Sequence, residues 1–268
     1  MSLINWYPGH MAVANKKIIE TCQKSDLVIE VLDTRAINIT SNKEILSSNK
    51  PILKIALKAD LADTKNIVPN NNLLIGSIKN AYFRNIVINK IKTILKPEIA
   101  KKRKKGIANP LFYLIVIGLP NVGKSSLINF LTKQHHAIVA NCPATTKKLA
   151  IYKIANNIYI QDNPGIFFKK IINEKDGYIL SLLNTINNRI LPIYEITNYC
   201  YNFLQKNYLD NISKFYQLNC KLPFDEFLNQ YATSKHLYLK NKLDLNRAMN
   251  RIFRDFVECK ICKVNYEK

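Results

Sequence analysis

The sequence contains no hydrophobic run long enough to cross a membrane. The longest, residues 111–119, is about half of the ~20 residues that a transmembrane helix requires, and the first residues lack the apolar stretch of a signal peptide. The six cysteines are scattered among 268 residues, which excludes the dense disulfide framework of a small secreted domain. We therefore expect reduced thiols and a cytoplasmic protein of a bacterial-type cell, with an organellar matrix as the alternative.

Acidic residues are also few: 19 Asp and Glu stand against 40 Lys and Arg, and the formal net charge is +21. A surplus of this size favours a polyanionic partner, and nucleic acid is the first candidate. Disorder is disfavoured for most of the chain because 47% of its residues are hydrophobic, which is enough to form a sizeable core.

Hydrophobic segments of strand length alternate with segments of helical period through residues 1–175, which predicts an α/β domain built on a parallel sheet. Predicted strands cover residues 27–32, 52–57, 73–75 and 112–117, followed by a hairpin of 149–153 and 158–161. Predicted helices cover residues 12–23, 81–95 and 124–132.

The remaining residues, 176–268, show no clear strand alternation and are predicted to form a small helical domain. Within them, residues 245–257 carry apolar side chains at helical spacing with arginines between them. In the first domain, residues 97–110 have proline at both ends and a run of five basic residues, so we predict a basic linker there.

Residues 118–125, Gly-Leu-Pro-Asn-Val-Gly-Lys-Ser, match the phosphate-binding loop G-x-x-x-x-G-K-[ST] and lie between a predicted strand and a predicted helix. The backbone N–H groups of such a loop surround phosphate oxygens at a helix N-terminus. Lys124 is expected to bridge the β- and γ-phosphates, and Ser125 to bind Mg²⁺. The predicted nucleotide contacts in this segment are Asn121, Val122, Gly123, Lys124, Ser125 and Ser126.

A phosphate loop also needs an aspartate at the end of a neighbouring strand to support the metal. Asp162, directly after the predicted hairpin, meets this requirement, and Gly165 is placed to turn its N–H toward the γ-phosphate. Thr145 and Thr146 both offer a hydroxyl between the two motifs. We predict that Thr146 completes the Mg²⁺ site in the triphosphate state.

The order of the motifs is permuted. In common GTPases the guanine-reading N-K-x-D follows the phosphate loop, whereas here the related segment 57–60, Leu-Lys-Ala-Asp, ends a strand about sixty residues before it. The segment 77–79, Ser-Ile-Lys, resembles the S-A-K element that lies behind the guanine base. The predicted contacts to the base are therefore Lys58, Asp60, Ser77 and Ile78.

With this order and four further motifs, the chain resembles the circularly permuted ribosome biogenesis GTPases of the RbgA/YlqF type, a family with mitochondrial homologues. The motifs are residues 5–11 (with Pro-Gly-His-Met at its end), 33–35 (Asp-Thr-Arg), 243–248 and 253–256. The resemblance covers nearly the whole chain. It implies an α/β fold in which a circularly permuted phosphate-loop GTPase domain precedes an all-helical, rRNA-binding domain.

The resemblance also implies a function. Members of this family bind GTP and GDP, hydrolyse GTP, and assist assembly of the large ribosomal subunit. We therefore expect a nucleotide switch that acts on a late precursor particle and contacts its rRNA.

Several residues depart from the expected motifs, and three of them bear on the nucleotide site. Leu57 replaces the asparagine that normally hydrogen-bonds guanine and braces the phosphate loop, so we expect weaker base discrimination even though Asp60 is retained. Ala144 replaces the glycine of P-G-T-T. Ile166 stands where Ras-like enzymes have a water-orienting glutamine, so intrinsic turnover is expected to be slow.

Two residues are implied by the resemblance to complete the catalytic site together with Lys124. Asn121 matches the asparagine with which related GTPases bind K⁺ in the place of an arginine finger. His10 matches a histidine implicated in activation on the ribosomal particle. Its alternative role is capping or packing ahead of the first helix.

Two basic surfaces are candidates for RNA contacts. Lys101 to Lys105 form one, with a solvated linker as its alternative. The second lies in the helical domain, where an ordinary solvated helix face is the alternative. Its members are Lys235, Lys240, Lys242, Arg247, Arg251 and Arg254.

Cys259 and Cys262 supply only two of the four ligands of a structural zinc site, so we interpret them as structural or incidental thiols, with redox pairing as the alternative. Two other functions are alternatives to the switch. One is an RNA-binding assembly chaperone that keeps the GTPase fold but has impaired hydrolysis, suggested by Leu57, Ala144 and Ile166. The other is a metabolic phosphate-loop enzyme such as a nucleotide kinase, which the strong positive charge and the lack of a lid motif disfavour.

Overall fold

The computed structural model describes residues 9–42, 48–68, 70–132, 150–162, 171, 173–187 and 190–268. Among these residues, no helix is both long and apolar enough to span a membrane. The chain forms two compact units, which we call the α/β unit and the helical unit. The α/β unit takes in the described residues of Tyr7–Asp60 and Thr64–Lys170, and the helical unit takes in Leu61–Asp63 and the described residues of Ile171–Lys268.

The described part of the α/β unit contains a six-stranded sheet with the order β3-β2-β1-β4-β6-β5, in which only β5 is antiparallel. Its strands are β1 Leu27–Asp33, β2 Ile52–Leu57, β3 Leu73–Ile75, β4 Phe112–Ile117, β5 Ala150–Ala155 and β6 Ile158–Asp162. Its helices are α1 Gly9–Lys24, α2 Ile37–Thr40, α3 Ala81–Lys104 and α4 Lys124–Thr132. The predicted parallel sheet and its terminal hairpin are both present.

The central strands are buried on both faces, as expected for near-continuous apolar runs in a parallel sheet. Every residue of β1 is buried. On one face, Ile18 of α1 packs with Val28 and Ile115. Further along the same face, Leu32 packs with Ala56 of β2. This core fixes the strand ends at which the functional motifs begin.

The basic linker predicted over residues 97–110 is wrong in its first half, because α3 continues through Pro97 to Lys104. A proline in a helix removes one backbone hydrogen bond, but this helix ends in four consecutive basic residues, which favourably face the negative end of its dipole. One of them, Lys102, also donates to Asp26 at 3.0 Å and lies 4.3 Å from the ring centroid of Phe112.

The helical unit follows the predicted class. Its helices are α5 Glu174–Leu182, α6 Ile193–Asn207, α7 Leu209–Tyr216, α8 Phe224–Ser234 and α9 Leu245–Val257. Aromatic side chains fill its core: the Tyr201 ring stacks on Phe227 at 4.6 Å, and Tyr216 meets Phe227 edge-on at 5.2 Å. A small hairpin, β7 Tyr238–Leu239 with β8 Lys242–Leu243, was not predicted. Lys240 and Asn241 at its turn both have positive φ, as the tightest hairpin turns require.

The segment Leu61–Asp63 belongs to the helical unit although it lies far from the rest of that unit in sequence. Ala62 forms a parallel bridge with Val264 near the C-terminus. The Asp63 carboxylate accepts hydrogen bonds from the Tyr208 hydroxyl at 3.1 Å and the Lys268 ammonium at 2.6 Å. The predicted boundary at residue 176 did not anticipate this contribution.

Candidate nucleotide site

The predicted functional segments of the α/β unit follow strands that end at the same edge of the sheet. Lys58 follows β2, Ser77 follows β3, and Gly118 follows β4. Parallel strands present their carboxyl ends together, and ligands of open α/β sheets bind outside these ends, where the strand order reverses. Here the order reverses between β1 and β4. The fold therefore gathers segments that are far apart in the sequence.

The phosphate loop approaches its neighbours too closely for ordinary side chains. Gly118 has φ +149°, and a Cβ atom there would clash with the carbonyl oxygen of Val31. Gly123 has φ +107°, and a Cβ atom there would lie 3.0 Å from Leu57 Cδ1. Asn121 also has a left-handed backbone, at φ 57°, which asparagine tolerates better than most residues. The loop shape thus depends on these residue types.

The loop ends where α4 begins, at Lys124. The Lys124 ammonium donates to the main-chain carbonyls of Gly118 at 3.0 Å and Leu119 at 2.7 Å. The first turns of a helix leave N–H groups without intrahelical partners, and these attract anions. Ser125 and Ser126 are exposed in this turn, whereas Val122 is buried beneath the loop. The loop therefore presents a lysine, hydroxyls and backbone donors suited to phosphates.

The predicted base-reading residues also come together. The Ala59 N–H donates to the carbonyl of Gly76 at 3.2 Å, which joins the turn after β2 to the turn after β3. The Asp60 carboxylate accepts from Lys79 at 2.7 Å and is hydrogen-bonded to Ser77. Burial raises the pKa of Asp60, but these two partners outweigh it and hold the pKa below its ordinary value. An ionised carboxylate can accept both guanine N–H groups. Ile78, between Ser77 and Lys79 in the sequence, is exposed.

One part of the site was missed by sequence reasoning. The Asp33 carboxylate at the end of β1 binds both Arg35 and Lys58, each at 2.8 Å. The same Lys58 ammonium donates to the main-chain carbonyl of Asn121, in the phosphate loop, at 2.7 Å. In the sequence, Asp33 and Arg35 stand out only as members of a family motif. No local pattern signals these contacts, because Lys58 is 25 residues from Asp33 and 63 from Asn121.

The residues that would hold Mg²⁺ are described only in part. Ser125 lies in the first turn of α4, and Asp162 ends β6, which pairs with β4 next to the phosphate loop. Hydroxyl and carboxylate oxygens suit Mg²⁺, which takes only one or two protein ligands when substrate phosphates supply the rest. No cluster of three or more His, Cys, Asp or Glu residues in the described chain has metal-binding geometry.

Several predicted residues lie outside what the structure describes. Thr146, Gly165 and Ile166 fall in segments that are not described, as do residues 5–8 of the N-terminal motif. The backbone of His10 lies in the first turn of α1. The roles given to these residues stay predictions.

The chain is similar to proteins of known family. Residues 113–218 match a family model described as 50S ribosome-binding GTPase. Over 268 residues the chain is 37% identical to the probable ribosome biogenesis GTPase A of Mycoplasma pneumoniae, covering 98% of this chain and 96% of that protein. It is 30% identical over 280 residues to the ribosome biogenesis GTPase A of Bacillus pumilus, covering 99% and 98% of the two chains.

A solved structure has the same fold. GNP-bound YlqF from T. maritima superposes with a TM-score of 0.65 at 20% identity, covering 95% of this chain and 97% of that one. Together with the sheet order, this match confirms the predicted fold class, a permuted GTPase domain joined to a helical domain.

The Asp60 carboxylate generates a prediction about base specificity. Asp60→Asn is expected to weaken GDP binding by about tenfold to a hundredfold, since a hydrogen bond to a charged group is lost. Because the asparagine amide presents both a donor and an acceptor to the edge of the base, the variant should bind xanthosine diphosphate better than the wild type does. Titration with both nucleotides measures the change.

Asp26→Asn is the matched control. Asp26 also pairs with a lysine in the α/β unit, but it precedes β1 and so lies at the opposite sheet edge. Its substitution should leave both affinities unchanged. Equal GDP affinity in Asp60→Asn and the wild type would remove Asp60 from base recognition.

Proposed function

The chain belongs to the ribosome biogenesis GTPase A family, and on this basis we propose that it binds and hydrolyses GTP as an assembly factor for the large ribosomal subunit. It acts as a nucleotide switch on a late precursor particle and leaves after hydrolysis. The observation that carries this proposal is the direct contact of Lys58, in the permuted base-reading segment, with the phosphate loop at Asn121. That contact joins base recognition and phosphate binding in one site.

In the proposed reaction, water attacks the γ-phosphorus, the bond to the β,γ-bridging oxygen breaks, and GDP and phosphate leave. Backbone donors of the loop and the Lys124 ammonium bind the phosphates, the ammonium exchanging its carbonyl partners for phosphate oxygens. Ser125, Asp162 and Thr146 would hold Mg²⁺, which when bound neutralises charge on the β- and γ-phosphates. The N–H of Gly165 would sense the γ-phosphate.

Turnover by the isolated protein should be slow, because Ile166 has no group that orients water. The particle supplies the missing activation. We assign to His10 the activation of the attacking water when the particle is bound. Its imidazole either orients this water or accepts a proton from it, since imidazole can carry a proton near neutral pH.

The first test of the proposal is GTP turnover with and without large ribosomal subunits in a K⁺ buffer. We expect stimulation of at least about tenfold, of the kind that completing a hydrolytic site supplies. His10→Ala should bind GTP normally but lose most of the stimulated rate. Phosphate release measures both.

Two results would contradict this account. Turnover that subunits leave unchanged would favour the RNA-binding chaperone with impaired hydrolysis. Stimulation that is the same in His10→Ala would remove that histidine from the mechanism.

We also propose that Asn121 holds K⁺ beside the transferred phosphate. Its side-chain amide would supply an oxygen ligand, and the bound cation would provide positive charge in the place of an arginine finger. Asn121→Gly is expected to lose the preference for K⁺ over Na⁺ in turnover, because glycine keeps the left-handed backbone but removes the amide. An unaltered K⁺ preference in this variant would exclude the assignment. Turnover of the wild type in both salts is the reference.

For rRNA we propose a contact surface on the helical unit. All six basic residues predicted for it are exposed. Three of them, Arg247, Arg251 and Arg254, follow one another at helical spacing along α9, whose opposite face is buried through Ala248 and Ile252. Next to them in sequence, the β7–β8 hairpin exposes Tyr238 and Leu239. Exposed cations beside an exposed aromatic ring suit a phosphate backbone and unstacked bases.

Replacing Arg247, Arg251 and Arg254 together by Gln should weaken binding to large-subunit rRNA by about tenfold. The slope of the logarithm of the binding constant against the logarithm of the salt concentration should become shallower by about one for each lost phosphate contact. Fluorescence titration at several salt concentrations measures both quantities. A triple Gln variant of Lys206, Lys214 and Lys221, which are exposed on other parts of the same unit, loses the same charge. If both variants behave alike, only net charge matters and the α9 surface is not specific.

A further inference from the structure

Because the base-reading segment lacks its usual asparagine, the phosphate loop lacks the hydrogen bond that this side chain normally makes to it. In its place Leu57 is 2% exposed, and its Cδ1 lies where it would touch a side chain at Gly123. This apolar contact supports the end of the phosphate loop. It offers no hydrogen bond, however, and therefore cannot set the direction of the loop's polar groups.

The polar contact to the loop comes from the next residue. Lys58 has a left-handed backbone, at φ 63°, and its ammonium donates to the carbonyl of Asn121 at 2.7 Å. A lysine ammonium is a point charge on a flexible stem of four carbons. With one contact alone, the side chain would keep much of its rotational freedom.

Asp33 supplies the second contact and is itself rigidly held. Its side chain is fully buried, and Arg35 donates to it through Nε at 2.9 Å, Nη2 at 2.8 Å and the main-chain N–H at 3.1 Å. The remaining acceptor capacity faces Lys58 at 2.8 Å. Burial raises the pKa of Asp33, but Arg35 and Lys58 outweigh it and keep the pKa below its ordinary value.

The two strands are also locked together at this point. The Thr34 N–H and hydroxyl both donate to the carbonyl of Leu57, at 2.9 and 2.6 Å. These two hydrogen bonds fix the backbone of Leu57, which precedes Lys58, relative to that of Thr34, which follows Asp33. The carboxylate and the ammonium thus meet in one defined geometry.

We propose that Asp33 is a positioning residue for nucleotide binding, which holds the Lys58 ammonium against the Asn121 carbonyl and so braces the phosphate loop where the usual asparagine is absent. The inference rests on the proposed function, because it assigns a role within the same nucleotide site. Asp33 acts through Lys58 and the loop. It therefore contributes to the affinity for the phosphates of the nucleotide, and this contribution does not depend on which base the nucleotide carries.

The same two strands contain a matched control. Glu30 of β1 is also buried and pairs with Lys54 of β2 at 3.5 Å. There the ammonium donates to the Ser41 hydroxyl at 2.9 Å, and the carboxylate also binds the N–H of Asn42. Glu30→Gln therefore removes a buried carboxylate from the same strand without touching the phosphate loop.

The test is a double-mutant cycle on GDP affinity with Asp33→Asn, Lys58→Met and the double variant. Each single substitution should weaken GDP binding by about tenfold, and the double variant should be no weaker than Lys58→Met alone. The loss should be equal for GDP and inosine diphosphate, unlike that of Asp60→Asn. Glu30→Gln should keep wild-type affinity, even where it lowers the midpoint of thermal unfolding.

Asp33→Asn leaves the buried Arg35 without its carboxylate, which can prevent folding. Asp33→Asn combined with Arg35→Gln removes both charges and should show the same loss of GDP affinity. Wild-type GDP affinity in whichever of these variants folds, or additive losses in the double variant with Lys58→Met, would overturn the inference. Failure of the wild type to bind GDP would instead overturn the proposed function.

Discussion

The nucleotide site depends on one steric constraint: the backbone at Gly118 lies so close to strand β1 that no side chain fits between them. Because the carbonyl of Val31 lies where a side chain would begin, the chain leaves β4 close to its neighbour and turns with left-handed residues at Asn121 and Gly123. This turn directs backbone donors and the start of α4 toward one point. It also brings the carbonyl of Asn121 within reach of Lys58, a contact that a wider loop would not allow.

Permutation leaves this geometry intact because a sheet is assembled from strand neighbours and not from chain order. β1 lies between β2 and β4, so the strand that ends in Asp33 separates the base-reading turn from the phosphate loop. A group at its end is therefore well placed to act on both. This position explains how a carboxylate can compensate for an asparagine lost from a different strand.

The sequence predicted the strands, the phosphate loop and the base-reading turn because each is encoded in a short, continuous pattern. It missed the end of α3, where a charge run that resembles a linker is stabilised by the helix dipole. It also missed contacts whose partners are distant in the chain: Lys58 with Asn121 across 63 residues, and Asp63 with Lys268 across 205. Such contacts depend on tertiary pairing, which no local periodicity reports. Thr146 and Gly165 stay predictions.

In the part that the structure describes, acidic residues neutralise basic side chains at the nucleotide edge but not on the exposed face of α9. At the nucleotide edge, Asp33 and Asp60 each pair with a lysine, and in doing so they direct cations and keep carboxylates ionised. In the described chain, by contrast, no ion pair involves Arg247, Arg251 or Arg254. Positive charge that is neutralised within the protein contributes little to binding a polyanion, whereas exposed, unneutralised charge releases counterions when phosphates bind. The exposed arginines of α9 are thus suited to the proposed rRNA contact, whereas the ion pairs at the nucleotide edge hold charged groups in fixed positions.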